Sequence, residues 1–394
     1  MTQKKIYLKH GKEQSLKRLH PWVFSGAIER VPHDIKEGDL VEVVDPDGNF
    51  IALGHFLIGT IAVRIVSFTK EEIDENFWVN KVANAYKIRK EIGLVDNPST
   101  TAYRFINGEG DGIPGLIADI YDKTVVFQAH TASIYLLKEV FCSAFKTVLG
   151  DKLEAIYDKS ESTLPFNAGL EPENGFIFGK SNTSSVLENN LKFIPDIEKG
   201  QKTGFFIDQR ENRLLLEKYC NDRTVLNMFS YTGSFSVYAM RGNAKLVHSV
   251  DSSERAIELA KENVSHNFPN DIRHEAYVSD AFRFMEGAAG KYDLIIIDPP
   301  AFAKHLKVVQ NALKGYRRIN AKAFEIIKPG GILYTFSCSQ VVSRDAFRTM
   351  IFSAAAQSRR NVRILHQLEQ PADHPISIYH PEGEYLKGLV LYVE

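Results

Sequence analysis

A chain of 394 residues with 44% hydrophobic and 25% charged side chains is long enough for two or three domains with real cores. No apolar run approaches the roughly 18–20 residues of a membrane helix, and the charged start Met1-Thr2-Gln3-Lys4-Lys5-Ile6-Tyr7 offers no signal segment, so a cytoplasmic protein without a membrane partner is expected. Three widely spaced cysteines, Cys142, Cys220 and Cys338, argue against a disulfide framework and lack Cys-x-x-Cys metal spacing, while a net charge of −1 does not by itself announce nucleic acid.

The first thirty residues are locally basic. Lys4, Lys5, Lys9, Lys12, Lys17, Arg18 and Arg30 stand against Glu13 and Glu29. A solvated face and a nucleic-acid footprint explain that run equally well. Alternating segments follow at Gly38–Val44 and Phe50–Phe56, joined by the turn Asp45-Pro46-Asp47-Gly48, and then at Ile61–Val66. Short strands with this punctuation predict a small β-barrel over residues 1–72. From Asp74 to Leu94 the period changes. Val82, Ala85, Ile88 and Ile92 recur at helical steps, with Gly93 near the C-cap.

Tyr103 to Tyr121 is rich in glycine, including Gly108-Glu109-Gly110-Asp111-Gly112. Its acidic loop is a poor phosphate cradle and reads as a structural turn. Strands at Val125–Ala129 and Ala155–Asp158 complete a mixed α/β middle region over 73–190. Residues 191–394 then alternate strand and helix in the doubly wound manner. The strands are expected at Thr224–Phe229, Leu246–Asp251, Ile272–Val278, Tyr292–Asp298 and Ile332–Ser337. Val362–Leu368 and Gly388–Val393 are joined by a loop, which predicts an antiparallel terminal pair on a mostly parallel sheet. The fold class is therefore α/β, with a C-terminal Rossmann-like domain. Helices are read at Glu254–Asn263 and Val308–Ile327.

Ligands of open α/β sheets bind outside the carboxyl ends of the strands. At those ends lie Asp298-Pro299-Pro300 and Ser337-Cys338-Ser339, a carboxylate and a thiol on neighbouring apolar strands. The pairing suggests covalent chemistry on an electrophilic ring. The turn after the first Rossmann strand, Asn227-Met228-Phe229-Ser230-Tyr231-Thr232-Gly233-Ser234-Phe235, has one glycine where a dinucleotide fingerprint has three. A smaller cofactor without phosphates suits it. Asp251-Ser252 closes the second strand, where a carboxylate can accept ribose hydroxyls. Asp280-Ala281 follows the third, where an adenine amino group can be met. Each aspartate alone reads equally as a helix N-cap; together they favour a nucleoside site.

These residues resemble the class I S-adenosylmethionine-dependent methyltransferases. More closely, the chain resembles ribosomal RNA cytosine-C5 methyltransferases carrying an N-terminal PUA domain. The strings that carry the likeness are Gln201-Lys202-Thr203-Gly204-Phe205-Phe206-Ile207-Asp208-Gln209-Arg210, Val225 to Gly233, and Asp298-Pro299-Pro300-Ala301-Phe302 with Ser337-Cys338-Ser339. The resemblance implies that Thr203, Phe205, Asp208 and Arg210 border S-adenosyl-L-methionine. It also implies contacts from Asn227, Phe229, Tyr231, Thr232, Gly233, Asp251, Ser252, Asp280, Ala281 and Asp298. Asp208 and Arg210 suit the ammonium and carboxylate of the methionine moiety.

Cytosine C5 is a poor nucleophile. A Cys338 thiolate adding to C6 makes an enamine whose C5 can attack a methyl group. Asp298 would bond the N3 and amino edge, while Pro299 and Pro300 fix a turn without N–H donors. Cys142 and Cys220 sit in apolar helical patterns and read as core. Many RNA cytosine-C5 methyltransferases place a second cysteine after the proline of the first motif. Residues Asp298 to Phe302 contain none, so the base that releases Cys338 is not named by the sequence.

The expected partner is large-subunit ribosomal RNA, and the resemblance also admits a homodimer. Phosphate contacts fall to Lys9, Lys12, Lys17 and Arg18. Trp22 or Phe24 offer stacking faces, with barrel core the preferred reading of Trp22. Pro299, Pro300, Phe302 and His374 are further substrate candidates, the last from Asp373-His374-Pro375 between the final strands. The alternatives are an RNA methyltransferase acting on an exocyclic guanine or adenine amine, and a non-catalytic RNA-binding protein with a vestigial Rossmann domain.

Overall fold

The computed structural model describes residues 4–165, 169–302 and 308–394. By internal contacts the chain divides into two compact units. The first comprises Met1–Val186, Pro195–Phe205 and Ala372–Gly383; the second comprises Leu187–Ile194, Phe206–Pro371 and Glu384–Glu394.

The first unit opens with β1 (Lys4–Leu8), α1 (Gln14–Lys17), β2 (Trp22–Phe24), β3 (Ile28–Arg30), β4 (Leu40–Val44), β5 (Phe50–Phe56) and β6 (Ile61–Ser67). They form a six-stranded sheet in the order β2-β6-β5-β4-β1-β3. Ile6, Leu8, Val41, Val43, Val63 and Ile65 fill its core. The turn after β4 is closed by Asp45, whose carboxylate accepts the backbone N–H groups of Asp47 and Asn49 at 3.0 and 2.8 Å.

α2 (Glu75–Glu91) starts where Asp74 caps the Phe77 N–H. β7 (Ala102–Asn107), β8 (Leu116–Tyr121) and β9 (Thr124–Ala129) follow, then α3 (Ala132–Leu136), α4 (Lys138–Leu149), β10 (Ala155–Asp158) and β11 (Gly175–Gly179). The strands make a second sheet in the order β11-β10-β9-β8-β7. The glycine-rich stretch thus hides a buried hairpin, β7 and β8. Its tip is a 3-10 turn over Gly108–Asp111. Asp111 meets Arg89 in a pair whose side chains are both fully buried. Gly110 is required there, because a Cβ would stand 1.9 Å from the Pro375 carbonyl oxygen.

A two-stranded ribbon, β12 (Val186–Glu188) and β13 (Leu191–Phe193), belongs, from Leu187 on, to the second unit. That unit holds α5 (Arg210–Glu217), β14 (Thr224–Met228), α6 (Ser234–Arg241), β15 (Leu246–Asp251), α7 (Glu254–Asn267), β16 (His274–Val278), α8 (Ala281–Met285) and β17 (Tyr292–Ile297). It is completed by α9 (Val309–Ile326), β18 (Ile327–Ser337), α10 (Arg344–Ser358), β19 (Val362–Leu368) and β20 (Lys387–Val393). The sheet order is β16-β15-β14-β17-β18-β20-β19. The first five strands are parallel. β20 lies between β18 and β19 and is antiparallel to both.

The run Leu294–Ile297 is fully buried, as a central parallel strand covered on both faces must be. Tyr316, Ile319 and Phe324 of α9 and Phe347 and Ile351 of α10 join Leu226, Ile295 and Leu333 of the sheet in one core. Among the described residues no helix is long and apolar enough to cross a membrane.

Candidate active site

The strand order reverses between β14 and β17, and the groups with chemical potential collect at that switch point. The register sets Met228 beside Ile297 and Ile297 beside Thr335. Asp298 therefore leaves β17 next to the turn after β14 on one side and next to the end of β18 on the other. The Cys338 sulfur lies 3.9 Å from the Pro299 carbonyl oxygen. Carboxylate and thiol occupy one edge.

Asp298 is oriented by a residue that sequence reasoning passed over. Gln209 donates from Nε2 to Asp298 Oδ2 at 2.9 Å, and Asn212 donates to Gln209 Oε1 at 2.7 Å. The second bond fixes which end of the Gln209 amide faces the carboxylate. Nothing in the string around Gln209 singles it out, because an amide beside an arginine is common at a helix start. Tyr316 of α9 also faces this edge. Its phenol is pushed up to about 12 by burial, and Ser337, Cys338 and Asp298 are among the groups around it. Phe302 packs on the Tyr316 ring at 4.6 Å between centroids.

The turn after β14 is locally strained. Phe229 (φ 58°), Tyr231 (φ 45°) and Gly233 (φ 72°) all take left-handed backbone conformations. Bulky residues adopt these only where the surroundings enforce them, typically at ligand sites. Part of the enforcement is visible. Asp251 Oδ2 accepts the Tyr231 N–H at 2.9 Å, and Asn263 donates to the Thr232 carbonyl at 2.9 Å. Gly233 packs so closely on α7 that a Cβ would meet Ala260 Cβ at 2.8 Å. Tyr231 stacks edgewise on Phe206, centroids 5.1 Å apart.

Asn227 heads a buried polar chain. Its Nδ2 donates to Ser236 Oγ at 2.9 Å, Ser236 meets Ser249 at 2.7 Å, and Ser249 meets His274 at 2.8 Å. Asn227 Oδ1 and Ser230 Oγ are buried and meet no hydrogen-bond partner in the protein. Leaving such atoms unsatisfied costs about 1–3 kcal/mol each. A ligand with hydrogen-bond donors at the carboxyl end of β14 removes that cost.

The other expected residues fall out as follows. Asp208 is buried and accepts the Tyr385 hydroxyl at 2.8 Å, and Arg210 is buried with Nε 3.1 Å from Glu211. Asp251 also accepts the Ser253 N–H at 2.9 Å, which leaves each of its oxygens one further lone pair. Asp280 caps α8 through the Phe282 and Arg283 N–H groups, with Ala281 as the first helical residue. Ser252 is exposed and Pro300 is exposed, whereas Pro299 is buried.

Thr203 and Phe205 belong to the first unit. There the Thr203 hydroxyl donates to Asp119 at 2.6 Å and lies 2.9 Å from the Tyr121 hydroxyl, which accepts the Phe205 N–H at 3.2 Å. His374 is also in the first unit and is only 1% exposed, so its imidazole lies 3.2 Å from Asp373 and presents no surface. His374, expected as a substrate candidate, lies in a buried segment that Asp373 ties to β7 by accepting the Arg104 N–H at 3.0 Å.

Lys9, Lys12, Lys17 and Arg18 are exposed, Lys9 reaching the Gly26 carbonyl at 3.0 Å and Lys17 standing 3.6 Å from Glu13. Trp22 is not barrel core. Its indole N–H donates to Glu109 at 2.8 Å, and its ring lies 4.3 Å from that of His380. Among the described residues no cluster of His, Cys, Asp and Glu could hold a metal.

The chain is similar to known proteins along its whole length. Residues 175–387 match the family of S-adenosylmethionine-dependent methyltransferases, and residues 6–68 match the PUA-like domain. The ribosomal RNA large subunit methyltransferase I of Aeromonas salmonicida is 38% identical over 394 residues, covering 98% of both chains. That of Yersinia pestis is 35% identical over 396 residues, covering 99% of both. A solved methyltransferase complexed with SAH superposes with a TM-score of 0.86 at 24% identity, covering 99% of this chain and 100% of that one, a likeness of fold. The chain belongs to the S-adenosylmethionine-dependent methyltransferase family, in the branch that joins this domain to a PUA-like domain and includes the ribosomal RNA large subunit methyltransferase I proteins.

Proposed function

We propose that the protein methylates C5 of a cytosine in large-subunit ribosomal RNA through a covalent adduct at Cys338. The observation that carries the reading is the placement of Cys338 and Asp298 on one edge, with Asp298 held by Gln209. The relatives named for the large ribosomal subunit supply the substrate class.

S-adenosylmethionine, when bound, supplies an electrophilic methyl group carried on a sulfonium. The residues at the end of β14 suit it. Asn227 Oδ1 and Ser230 Oγ would accept its donor groups, Asp251 a ribose hydroxyl, and Tyr231 would offer an aromatic face to the cation. Asp208 would hold the ammonium from the buried start of α5.

The protein's own steps concern the base. A stacked cytosine must leave its helix to reach this edge. The Cys338 thiolate adds to C6, its sulfur pair forming the C–S bond as the ring's electrons move toward N3 and C5. Asp298, as the carboxylic acid, would give its proton to N3 and accept the amino N–H on its other oxygen, so the electrons driven onto the ring by C6 addition are taken up in an N–H bond. Pro299 contributes a carbonyl and no competing donor. Exposed Lys9, Lys12, Lys17 and Arg18 would track phosphates, and Phe24, 43% exposed, would offer a stacking face.

The test is transfer of labelled methyl to deproteinised large-subunit RNA or to assembly intermediates, with the product nucleoside identified. Wild-type protein should yield 5-methylcytosine, and Cys338→Ala should reduce the rate by at least about a thousandfold. Undiminished methylation by Cys338→Ala, or a product methylated on an exocyclic amine, overturns the proposal.

A further inference from the structure

β20 begins at Lys387. In its antiparallel ladder with β18 this residue stands opposite Ser337, the neighbour of Cys338. A lysine at the start of a strand ordinarily reaches water, because a buried ammonium is costly. Lys387 is only 2% exposed, and its Nζ donates to the Ser339 carbonyl at 2.7 Å. The side chain therefore runs from the partner of Ser337 to the carbonyl of Ser339, the two residues that flank Cys338. The charged and titratable groups around it are Glu384, Cys338 and Arg344. Glu384 is already held by Arg344, whose Nε donates to it at 2.9 Å. The remaining acidic group is the Cys338 thiol, which also faces Tyr316, itself facing Asp298.

We propose that Lys387 is the cation that holds Cys338 as a thiolate, a positioning residue for the covalent step. The inference rests on the reading of Cys338 as nucleophile. Burial pushes Lys387 down to about 8, close to the ordinary thiol value of ~8.5, so little free energy separates a proton on the nitrogen from one on the sulfur. Where Lys387 is an ammonium, the S–H bond breaks to solvent and the sulfur keeps its electron pair beside a fixed positive charge. Where it is an amine, the same proton passes to the Nζ lone pair. Either route yields ammonium and thiolate, and an opposite charge within about 4–6 Å holds a thiol below its ordinary value by roughly 1–3 pH units.

The experiment is the pH dependence of iodoacetamide alkylation at Cys338 in the full chain, followed by peptide mass mapping. Cys220 is pushed up to about 12 by burial and Cys142 is raised by burial, so both stay silent near neutrality. Wild-type Cys338 should react with a midpoint at least about one unit below the ordinary thiol value of ~8.5. Lys387→Met should raise the midpoint by about one unit or more and slow alkylation at pH 7 about tenfold. Lys387→Arg, which keeps the cation, should preserve the low midpoint.

A wild-type midpoint at or above the ordinary value overturns the inference with no variant needed. So does an unmoved midpoint in folded Lys387→Met. Methylation lost in Cys338→Ala alongside an ordinary thiol midpoint would retire Lys387 alone, whereas methylation retained in Cys338→Ala retires the covalent reading.

Discussion

Gln209 shows how much of the edge that holds Asp298 and Cys338 is set by a neutral side chain. Its amide occupies Oδ2 of Asp298, and Asn212 prevents the amide from turning round. The Gln209→Leu variant removes the donor to Asp298 Oδ2 and should lower kcat by about ten- to a hundredfold with a smaller effect on KM. Gln209→Glu places a second carboxylate against the first. Two acids that close cannot both ionise at their usual pH, so the acid limb of the kcat/KM profile should move upward. Methylation rates from pH 5 to 8 check both outcomes; an unchanged profile in Gln209→Glu would remove Gln209 from the site. Asp298 and Cys338 were legible in the sequence because each ends an apolar run. Gln209 and Lys387 were not, since a helix-start amide and a strand-start lysine look like solvent-facing residues until the fold buries them.

Elements are pinned by a few buried contacts. Arg213 of α5 donates to both oxygens of Glu188, at 2.8 and 2.6 Å, and to the Phe206 carbonyl at 2.9 Å. Both side chains are buried. Arg213→Met leaves Glu188 as an uncompensated buried charge and should cost about 3–5 kcal/mol in urea unfolding, part of it recovered by adding Glu188→Leu. If the single variant unfolds like wild type, the pair is not structural. Gly233→Ala forces a methyl against Ala260 at a left-handed residue and should cost about 1–3 kcal/mol. It should also weaken S-adenosylmethionine binding, measured by calorimetry, because the same turn carries Ser230 and Tyr231.

At this scale the period of the sequence located β15, β10 and β19 to the residue. It missed β7 and β8, whose hairpin is interrupted by Gly108, Gly110 and Gly112. Gly110 serves close packing, and Gly108 and Gly112 left-handed backbone, neither of which leaves a trace in an alternation of apolar and polar residues.

The whole molecule carries several histidines held neutral by burial. His55 in the first unit and His248 and His274 in the second all have their pKa lowered by desolvation, His274 to about 4. In the unfolded chain each takes a proton near pH 6.5. The unfolded state thus binds more protons as the pH falls below that value, and native stability declines between about pH 6.5 and 4. Calorimetric scans should show the melting temperature falling over that window, and a flat profile would contradict the burial of these rings. The two-unit division was only partly readable along the chain, because 195–205 and 372–383 join the first unit through contacts that no local pattern announces.

The placement of β20 has a consequence for assembly. Although β19 precedes it in the chain, β19 is an edge strand bordered, among the described residues, by β20 alone. Docking of β19 onto the sheet must therefore await a segment made later, and that same segment carries Lys387, which stands opposite Ser337 in the ladder. A chain that stops short of Lys387 already holds the turn after β14, Asp298 and Cys338, so on the proposal above its thiol would lack the neighbouring cation until β20 closes the sheet.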